Sequence, residues 1–309
     1  MRIVVSGGAG FIGSHIVDAY LAAGHDVAIV DDLSTGRAEN INPGARFHRV
    51  DLRDRAAVAA VMAEERPEIV NHHAAQLDVR RSVADPAFDA EVNLIGLLNL
   101  IEAARPHALR RVILASSGGV VYGESQRLPT REEDPTEPIS PYGVAKLGSE
   151  RYLHYYAHVY GLPSVWLRYA NVYGPRQNPH GEAGVIAIFT TMLLEGGAPV
   201  INGSGTQTRD YVYVGDVVRA NLLALESDYA GPLNIGTGVE TDVNRLFALL
   251  CDAVGHHPGE QHGPAKAGEQ LRSVLDARRA GEVLGWNAET PLAEGLRRTV
   301  TWFRERRAA

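Results

Sequence analysis

The first half of this 309-residue chain predicts an α/β fold built on a doubly wound parallel sheet. Three observations carry that reading. Short β-branched runs recur, each is followed by an amphipathic stretch, and the first strand-to-helix junction is a string of glycines.

Arg2–Ser6 (RIVVS) is the first strand, and the helix after it is expected over Phe11–Ala23, with Gly24 as its stop. Asp26–Asp31 (DVAIVD) is the second strand, and Phe47–Val50 the third. A helix over Arg55–Glu65 leads to a strand at Glu68–Asn71 and then to a helix near Phe88–Ala104. Arg111–Ser117 (RVILASS) and Pro163–Tyr169 (PSVWLRY) read as buried strands around a helix at Tyr142–Tyr160. Strands that alternate with helices need right-handed crossovers, and these give a parallel sheet covered on both faces.

The second half is less regular. Pro and Gly punctuate Gly174–Gly184 and Gly255–Gly268, which read as loops over a binding cleft rather than as another sheet. Helices at Ala187–Leu194 and Leu292–Arg304 suggest a smaller domain of mixed structure. The expected division is a cofactor domain over 1–170, with a returning segment near 211–236, and a substrate domain mainly over 171–309.

Composition narrows the function. A net charge of −7 argues against nucleic-acid or anionic-membrane partners, since both need a basic face. The single cysteine, Cys251, excludes a disulfide framework and a multi-thiolate metal site, and its setting LFALLCDAV marks it as core. No apolar run is long enough to span a bilayer, and the chain enters a strand at once without a leader pattern. A cytoplasmic protein is expected. Only two of the 30 basic residues are lysines, Lys146 and Lys266, so a lysine here asks why arginine would not serve.

Gly7-Gly8-Ala9-Gly10-Phe11-Ile12-Gly13 places glycines at the first, fourth and seventh positions between strand and helix. A phosphate-binding turn needs glycine where the backbone turns tightly and approaches a pyrophosphate, and the helix N-terminus then supplies amide donors. Asp31, at the end of the second strand, suits the adenosine ribose hydroxyls and would repel a 2′-phosphate, so NAD is favoured over NADP. Asp32 joins it as a candidate, although DDLSTG is rich in turn formers. Asp51 and Leu52 are expected at the adenine edge. His72-His73-Ala74-Ala75 tempts a metal reading, but adjacent strand residues face opposite sides, so no metal is assigned. Ala74 and Ala75 supply backbone near the nicotinamide instead, with Asn93, Ser116 and Tyr169 as further cofactor candidates.

Tyr142 and Lys146 are four apart at the start of a helix and share a face. A nearby ammonium and a positive nicotinamide both favour phenolate and lower the pKa of a tyrosine that would otherwise be a poor base. With 12 tyrosines and two lysines, chance gives about 0.08 such pairs, so a coincidence is an unsatisfying explanation. A compact ammonium fits between phenol and ribose where a planar guanidinium would not. Ser116 and Ser117 end the strand RVILASS, where sheets of this kind place their sites. One should point inward, and Ser117 is the choice.

These residues, with Leu167–Pro175 (LRYANVYGP), resemble the extended short-chain dehydrogenase/reductase group, in particular its NAD-dependent nucleotide-sugar epimerases and dehydratases. Gly181–Phe189 and Gly203–Val217 look like the 4-epimerases of UDP-hexoses. That likeness implies UDP contacts at Asn171, Val185 and Arg209, and further substrate contacts at Asn202, Lys266, Glu269, Arg272 and Ser273. It implies that Tyr142 takes the O4 proton while C4 gives hydride to nicotinamide, and that the 4-keto sugar turns over before hydride returns. Ser117 steadies O4, and Lys146 tunes Tyr142 and holds the ribose. Paired helices at Phe88–Ala104 and Tyr142–Tyr160 imply a homodimer, with Tyr152, Tyr155, Tyr156, Val159 and Tyr160 as its surface. Ser273, or Arg272 if the loop is shifted by one, would wall the pocket beside the sugar's C2 substituent.

The chain departs from the family pattern where Ala115-Ser116-Ser117-Gly118-Gly119 replaces a longer hydroxyl run, and where Lys266 stands for an arginine. Related dehydratases carry an acid pair after the catalytic Ser/Thr, whereas Gly118 and Gly119 speak against elimination of water. Another NAD-linked nucleotide-sugar enzyme, a dehydratase or decarboxylase, and a non-catalytic NAD sensor are the alternatives.

Overall fold

The computed structural model describes residues 1–180, 184–265 and 270–308. Lys266 and Glu269 therefore lie outside the described residues, as does part of the Gly181–Phe189 segment. In chain order the elements open with β1 (Arg2–Ser6), α1 (Phe11–Ala22), β2 (Asp26–Val30), β3 (Arg46–His48), α2 (Arg55–Glu65) and β4 (Ile69–His72). Next come α3 (Val79–Ala84), α4 (Pro86–Ala90), a π turn (Glu91–Ile95), α5 (Gly96–Ala104), β5 (Arg111–Ser117), α6 (Pro141–Tyr160) and β6 (Ser164–Tyr169). The middle holds β7 (Asn171–Tyr173), α7 (Val185–Leu194), β8 (Val200–Asn202), β9 (Thr208–Tyr213), α8 (Val214–Glu226) and β10 (Gly231–Ile235). The chain closes with β11 (Glu240–Asp242), α9 (Val243–Val254), β12 (Gln261–Gly263), β13 (Arg272–Ser273), α10 (Arg278–Leu284) and α11 (Leu292–Ala308). None of the described helices is long and apolar enough to cross a membrane.

Two compact units divide the chain. The first comprises 1–123, 135–168 and 218–233. Its sheet has seven strands in the order β10-β6-β5-β4-β1-β2-β3, and the pairs from β3 through β5 run parallel. The order reverses beside β1, where the chain moves outward to β2 on one side and to β4 on the other. That reversal opens the crevice in which such sheets bind ligands. Strand residues alternate between two covered faces. Val4, Val70, Leu100 and Met62 pack together on one face, with Leu97, Val112, Leu114 and Leu153 in a neighbouring cluster. On the other face Asn71 donates to the Tyr20 hydroxyl at 2.8 Å and to the Asn221 side-chain oxygen at 3.0 Å, tying β4 to α1 and α8. A buried amide in a strand is tolerable because both partners are buried with it.

The expected helix at Phe88–Ala104 is not continuous. Asp85 caps α4 by accepting from the Phe88 amide at 3.0 Å, and Pro86 occupies the first turn, where its missing N–H costs nothing. A π turn then inserts before α5. Asn93 lies within it, and its buried side chain bonds both backbone groups of Gln76. In α6, the Ser140 hydroxyl accepts from Gly143 at 3.1 Å, and Gly161 closes the helix in the left-handed region. Tyr156 differs from the expected surface set. It is buried with Leu153, and its hydroxyl donates to Glu102 at 2.9 Å. Tyr152, Tyr155, Val159 and Tyr160 are exposed, because the helical period turns them to the opposite side.

The second unit comprises 124–134, 169–217 and 234–309. Here the expectation of a loop fails for Gly255–Gly268, whereas the described residues of Gly174–Gly184 hold no strand. Strands β7, β9, β11 and β13 form one small sheet, and β8 pairs with β12, which lies inside the Gly255–Gly268 stretch. Three-residue strands rich in Gly and His carry no period that could reveal them; long-range pairing makes them strands. The core of this unit gathers Tyr173, Ile186, Phe189, Ile201, Leu246, Phe247, Leu250, Cys251 and Val300. Asp210 is its polar hub, accepting from the Thr237 amide and hydroxyl, from Gly238 and from Leu275.

Candidate active site

The glycine-rich turn is shaped by the absence of side chains. A Cβ on Gly7 would lie 2.5 Å from the Ala74 amide nitrogen, and one on Gly13 would lie 2.2 Å from the Gly7 carbonyl oxygen. Gly7 also has a φ of +73°, a conformation glycine adopts freely. Gly10 is the N-cap of α1, and no side chain caps the first-turn amides of Phe11, Ile12 and Gly13. This donor set, free of acidic side chains, suits a pyrophosphate.

Asp31 is buried and accepts from the Ala9 amide at 3.0 Å and the Leu33 amide at 2.9 Å. Burial pushes its carboxyl up, and the amides of Leu33 and Ala9 pull it back down. A carboxylate has about four acceptor positions, so two bonds within the protein leave capacity for ribose hydroxyls. Asp32 is engaged locally, its carboxylate accepting from the Ser34 amide at 2.9 Å and the Ser34 hydroxyl at 2.6 Å. Asp51 is paired with Arg53 at 2.6 Å, which holds its carboxyl below the usual range. The Leu52 side chain is core, and its carbonyl accepts from Asn99. Asn93 likewise has its amide taken up, by the Gln76 backbone and by Asp89 at 3.0 Å, and so anchors the segment that carries Ala74 and Ala75.

The reactive groups of the first unit stand at the ends of β5 and α6. Lys146 is buried, and its ammonium donates to the Ala115 carbonyl at 2.9 Å while lying 5.7 Å from the centre of the Tyr142 ring. Burial lowers its pKa to about 8, against the opposing pull of Asp89 and Glu150. The Tyr142 phenol is pushed up, by burial first and by the Asp89 charge second. The lowering expected from the sequence refers to a phenol beside both an ammonium and a positive nicotinamide. In the polypeptide alone burial sets the direction, and a lowering needs positive charge that outweighs it. Gly143 lets the first turn of α6 close on the 117–122 turn, since a Cβ there would lie 2.8 Å from the Val120 carbonyl.

Geometry separates the two serines. The Ser116 hydroxyl is buried and donates to the Glu150 carboxylate at 2.6 Å. Ser117 is half-buried, and among the described residues its hydroxyl has no hydrogen-bond partner. Sequence reasoning missed Glu150, Arg168 and Asp89. Two signals were present: Glu150 lies four residues beyond Lys146 on one helical face, and Arg168 interrupts an apolar strand.

In the second unit, Arg209 on β9 and Ser273 on β13 are register neighbours in a parallel pair. Ser273 is buried, whereas Arg272 is exposed and donates to Glu240 at 2.8 Å. Asn171 is exposed on β7, beside Tyr211 of β9. Val185 opens α7 after the Gly184 cap, and Asn202 ends β8 opposite Gly263. Tyr169, the last residue of β6, is buried.

Residues 3–236 match the NAD dependent epimerase/dehydratase family, and the chain belongs to that family. It is 47% identical over 312 residues to a UDP-glucose 4-epimerase of Mycolicibacterium smegmatis, with 99% of each chain covered. Among solved structures it resembles UDP-glucose 4-epimerase from Thermotoga maritima with UDP-glucose, at a TM-score of 0.97, 48% identity and 99% coverage of each chain. UDP-glucose 4-epimerase from Thermus thermophilus in complex with NAD follows at a TM-score of 0.93 and 46% identity, covering 98% of this chain and 99% of that one.

The contact between Gly13 and Gly7 generates a prediction. Purified parent protein, when denatured, should release NAD(H), because returning hydride to the same substrate leaves no need for cofactor exchange. Gly13→Ala should release about ten-fold less or lower, a loss of about 1.4 kcal/mol in binding. Release of NADP in place of NAD would count against the role given to Asp31.

Proposed function

We propose that the protein is an NAD-dependent 4-epimerase of UDP-hexoses, interconverting UDP-glucose and UDP-galactose through a 4-keto intermediate. The observation that carries this reading is a buried Lys146 whose ammonium lies over the Tyr142 ring and is bonded to the Ala115 carbonyl of β5, the strand that ends in the unengaged Ser117 hydroxyl. The names of the relatives at 46–48% identity over nearly the full chain support the substrate class.

Gly7, Gly10, Gly13 and the first-turn amides of α1 would hold the pyrophosphate of NAD, Asp31 its adenosine ribose and Lys146 the other ribose. Bound NAD supplies a reversible hydride acceptor and a positive charge. Tyr142 removes the proton from the hexose O4 and later returns one. Ser117 donates to that same oxygen and holds it in line. Lys146 keeps the phenol reactive, as an ammonium, only below its own pKa of about 8. Arg209 binds the diphosphate as a fork of donors. Lys266 and Glu269 complete the substrate candidates.

UDP-galactose incubated without added cofactor should give UDP-glucose of unchanged mass, followed by NMR. A product lighter by water or carbon dioxide would favour a dehydratase or decarboxylase. Tyr142→Phe should lower kcat by about 10²–10⁴-fold while UDP-sugar binding survives. The alkaline limb of the parent's kcat/KM should fall near pH 8, where Lys146 loses its proton.

Ser273 is the proposed wall beside the C2 substituent, since Arg272 sits one residue away on the opposite strand face and is held by Glu240. A small wall leaves room for an acetamide, whereas a bulky one excludes it. UDP-GalNAc and UDP-GlcNAc should therefore be substrates too. Ser273→Tyr should remove that activity and largely spare UDP-galactose; a parent enzyme that rejects UDP-GalNAc by orders of magnitude would overturn the assignment.

A cytoplasmic location fits a chain whose one cysteine is unpaired. A homodimer through α5 and α6 fits the exposed Ile95, Val144, Tyr152, Tyr155, Val159 and Tyr160. Sedimentation at micromolar concentration should give twice the chain mass, and Tyr155→Glu/Val159→Glu should halve it; a monomeric parent would dismiss the interface.

A further inference from the structure

Four buried side chains outside the proposed reaction are joined beneath it. Glu150 on α6 and Arg168 on β6 are 1% and 3% exposed, and form a two-pronged pair at 2.9 and 2.6 Å. Glu150 also accepts from the Ser116 hydroxyl at 2.6 Å. Arg168 donates to the Tyr122 hydroxyl at 2.8 Å and lies 4.9 Å from the centre of that ring. One ion pair thus ties α6, the end of β5, β6 and the 117–122 turn into one block. That turn is closed by the Ser117 carbonyl, which accepts from Val120 at 3.3 Å and Val121 at 3.1 Å.

We propose that Glu150 and Arg168 are the positioning pair of the reaction, resting on the activity proposed above. Glu150 captures the Ser116 hydroxyl and so leaves only that of Ser117 to meet substrate, while its own helix turn fixes Lys146 against β5. The choice of an ion pair for this place needs a reason, because burying two charges costs several kcal/mol per ion, and an apolar pair of similar volume often serves stability as well. Position supplies the reason. An apolar pair would fill the space but would not hold a serine hydroxyl, clamp a tyrosine hydroxyl or supply a negative charge one turn from a buried ammonium.

That charge matters to Lys146. The groups facing its ammonium are Tyr142, His72, His73, Asp89 and Glu150. Burial, with Lys146 itself, keeps both histidines far below their ordinary pKa, so they are neutral at pH 7. The two carboxylates are then what offsets desolvation, Asp89 from α4 and Glu150 from α6. Asp89 is held on one oxygen by Gln76 at 2.9 Å and by Asn93 at 3.0 Å, leaving the other without a partner. Glu150 spends both of its oxygens on Arg168 and Ser116, so it acts on Lys146 by field and by place, not by contact.

Two measurements test this. The chain has only two lysines, so lysine-selective ¹⁵N labelling resolves the Lys146 side chain without any substrate. In Glu150→Gln, Lys146 should titrate about half a unit or more below its parental value, because a favourable charge is gone; an unchanged titration would overturn the electrostatic half of the proposal. The double variant Glu150→Leu/Arg168→Met leaves no lone buried ion and should stay folded, with a Tm lowered only by the loss of partners for the Ser116 and Tyr122 hydroxyls. Its kcat on UDP-galactose should nevertheless drop about ten-fold or more, with KM within about two-fold, as expected when a reactive group loses alignment. Parental kcat in the folded double variant would show that the pair only fills the core. A parent protein with no epimerase activity would count against the activity itself, and the lysine titration would still decide the pair.

Discussion

No side chain fits at Gly7 or Gly13, where β1 hands over to α1, and the first unit is built around that exclusion. Gly7 touches the backbone at Ala74, and Gly13 touches the carbonyl of Gly7, so the ends of β1 and β4 and the start of α1 converge on bare peptide. The contact has two consequences. It brings the end of β1, paired in parallel with β2 and β4, against the segment after β4, and it leaves first-turn amides uncovered at the point where strand order reverses. Even a methyl group would have to displace backbone here, which cannot rotate away as a flexible side chain could.

Around that point the molecule buries charge in a consistent way. Asp31, Lys146, Glu150, Arg168 and Asp210 are all buried, and each has its hydrogen bonds supplied by backbone amides, carbonyls or an opposite charge. Buried ions are tolerated only on those terms. The pattern differs with role. Asp210 is fully occupied by four donors and ties loops together, whereas Asp31 keeps acceptor capacity and Lys146 keeps donor capacity beyond their contacts within the protein.

The break between α4 and α5 follows from the same economy of polar groups. A regular helix over this stretch would turn Asn93 along a face shared with its neighbours. The π turn instead lets its amide bond both backbone groups of Gln76, so the segment after β4 is held from the helix side. Single π turns recur where a helix must aim one polar side chain, and here the aim steadies Ala74 and Ala75 beside the glycine turn.

The local order of elements was legible from residues alone. The strand and helix periods, the spacing of Gly7, Gly10 and Gly13, the acid at Asp31 and the four-residue step from Tyr142 to Lys146 are all set by neighbours in the chain. Periodicity and turn chemistry suffice for such features. What only the tertiary structure decided depends on partners far apart in sequence. Ser116 and Ser117 are equivalent on paper; they differ because Glu150, 34 residues onward, takes the first hydroxyl. Arg272 and Ser273 are adjacent in sequence, but pairing with β9 sets Ser273 beside Arg209 and Arg272 is held by Glu240. Burial of the Tyr142 phenol, which pushes its pKa up in the polypeptide alone, is likewise a property of everything packed around the group. Strands as short as β8 and β12 hold no pattern of their own, and only their pairing across the fold makes them strands.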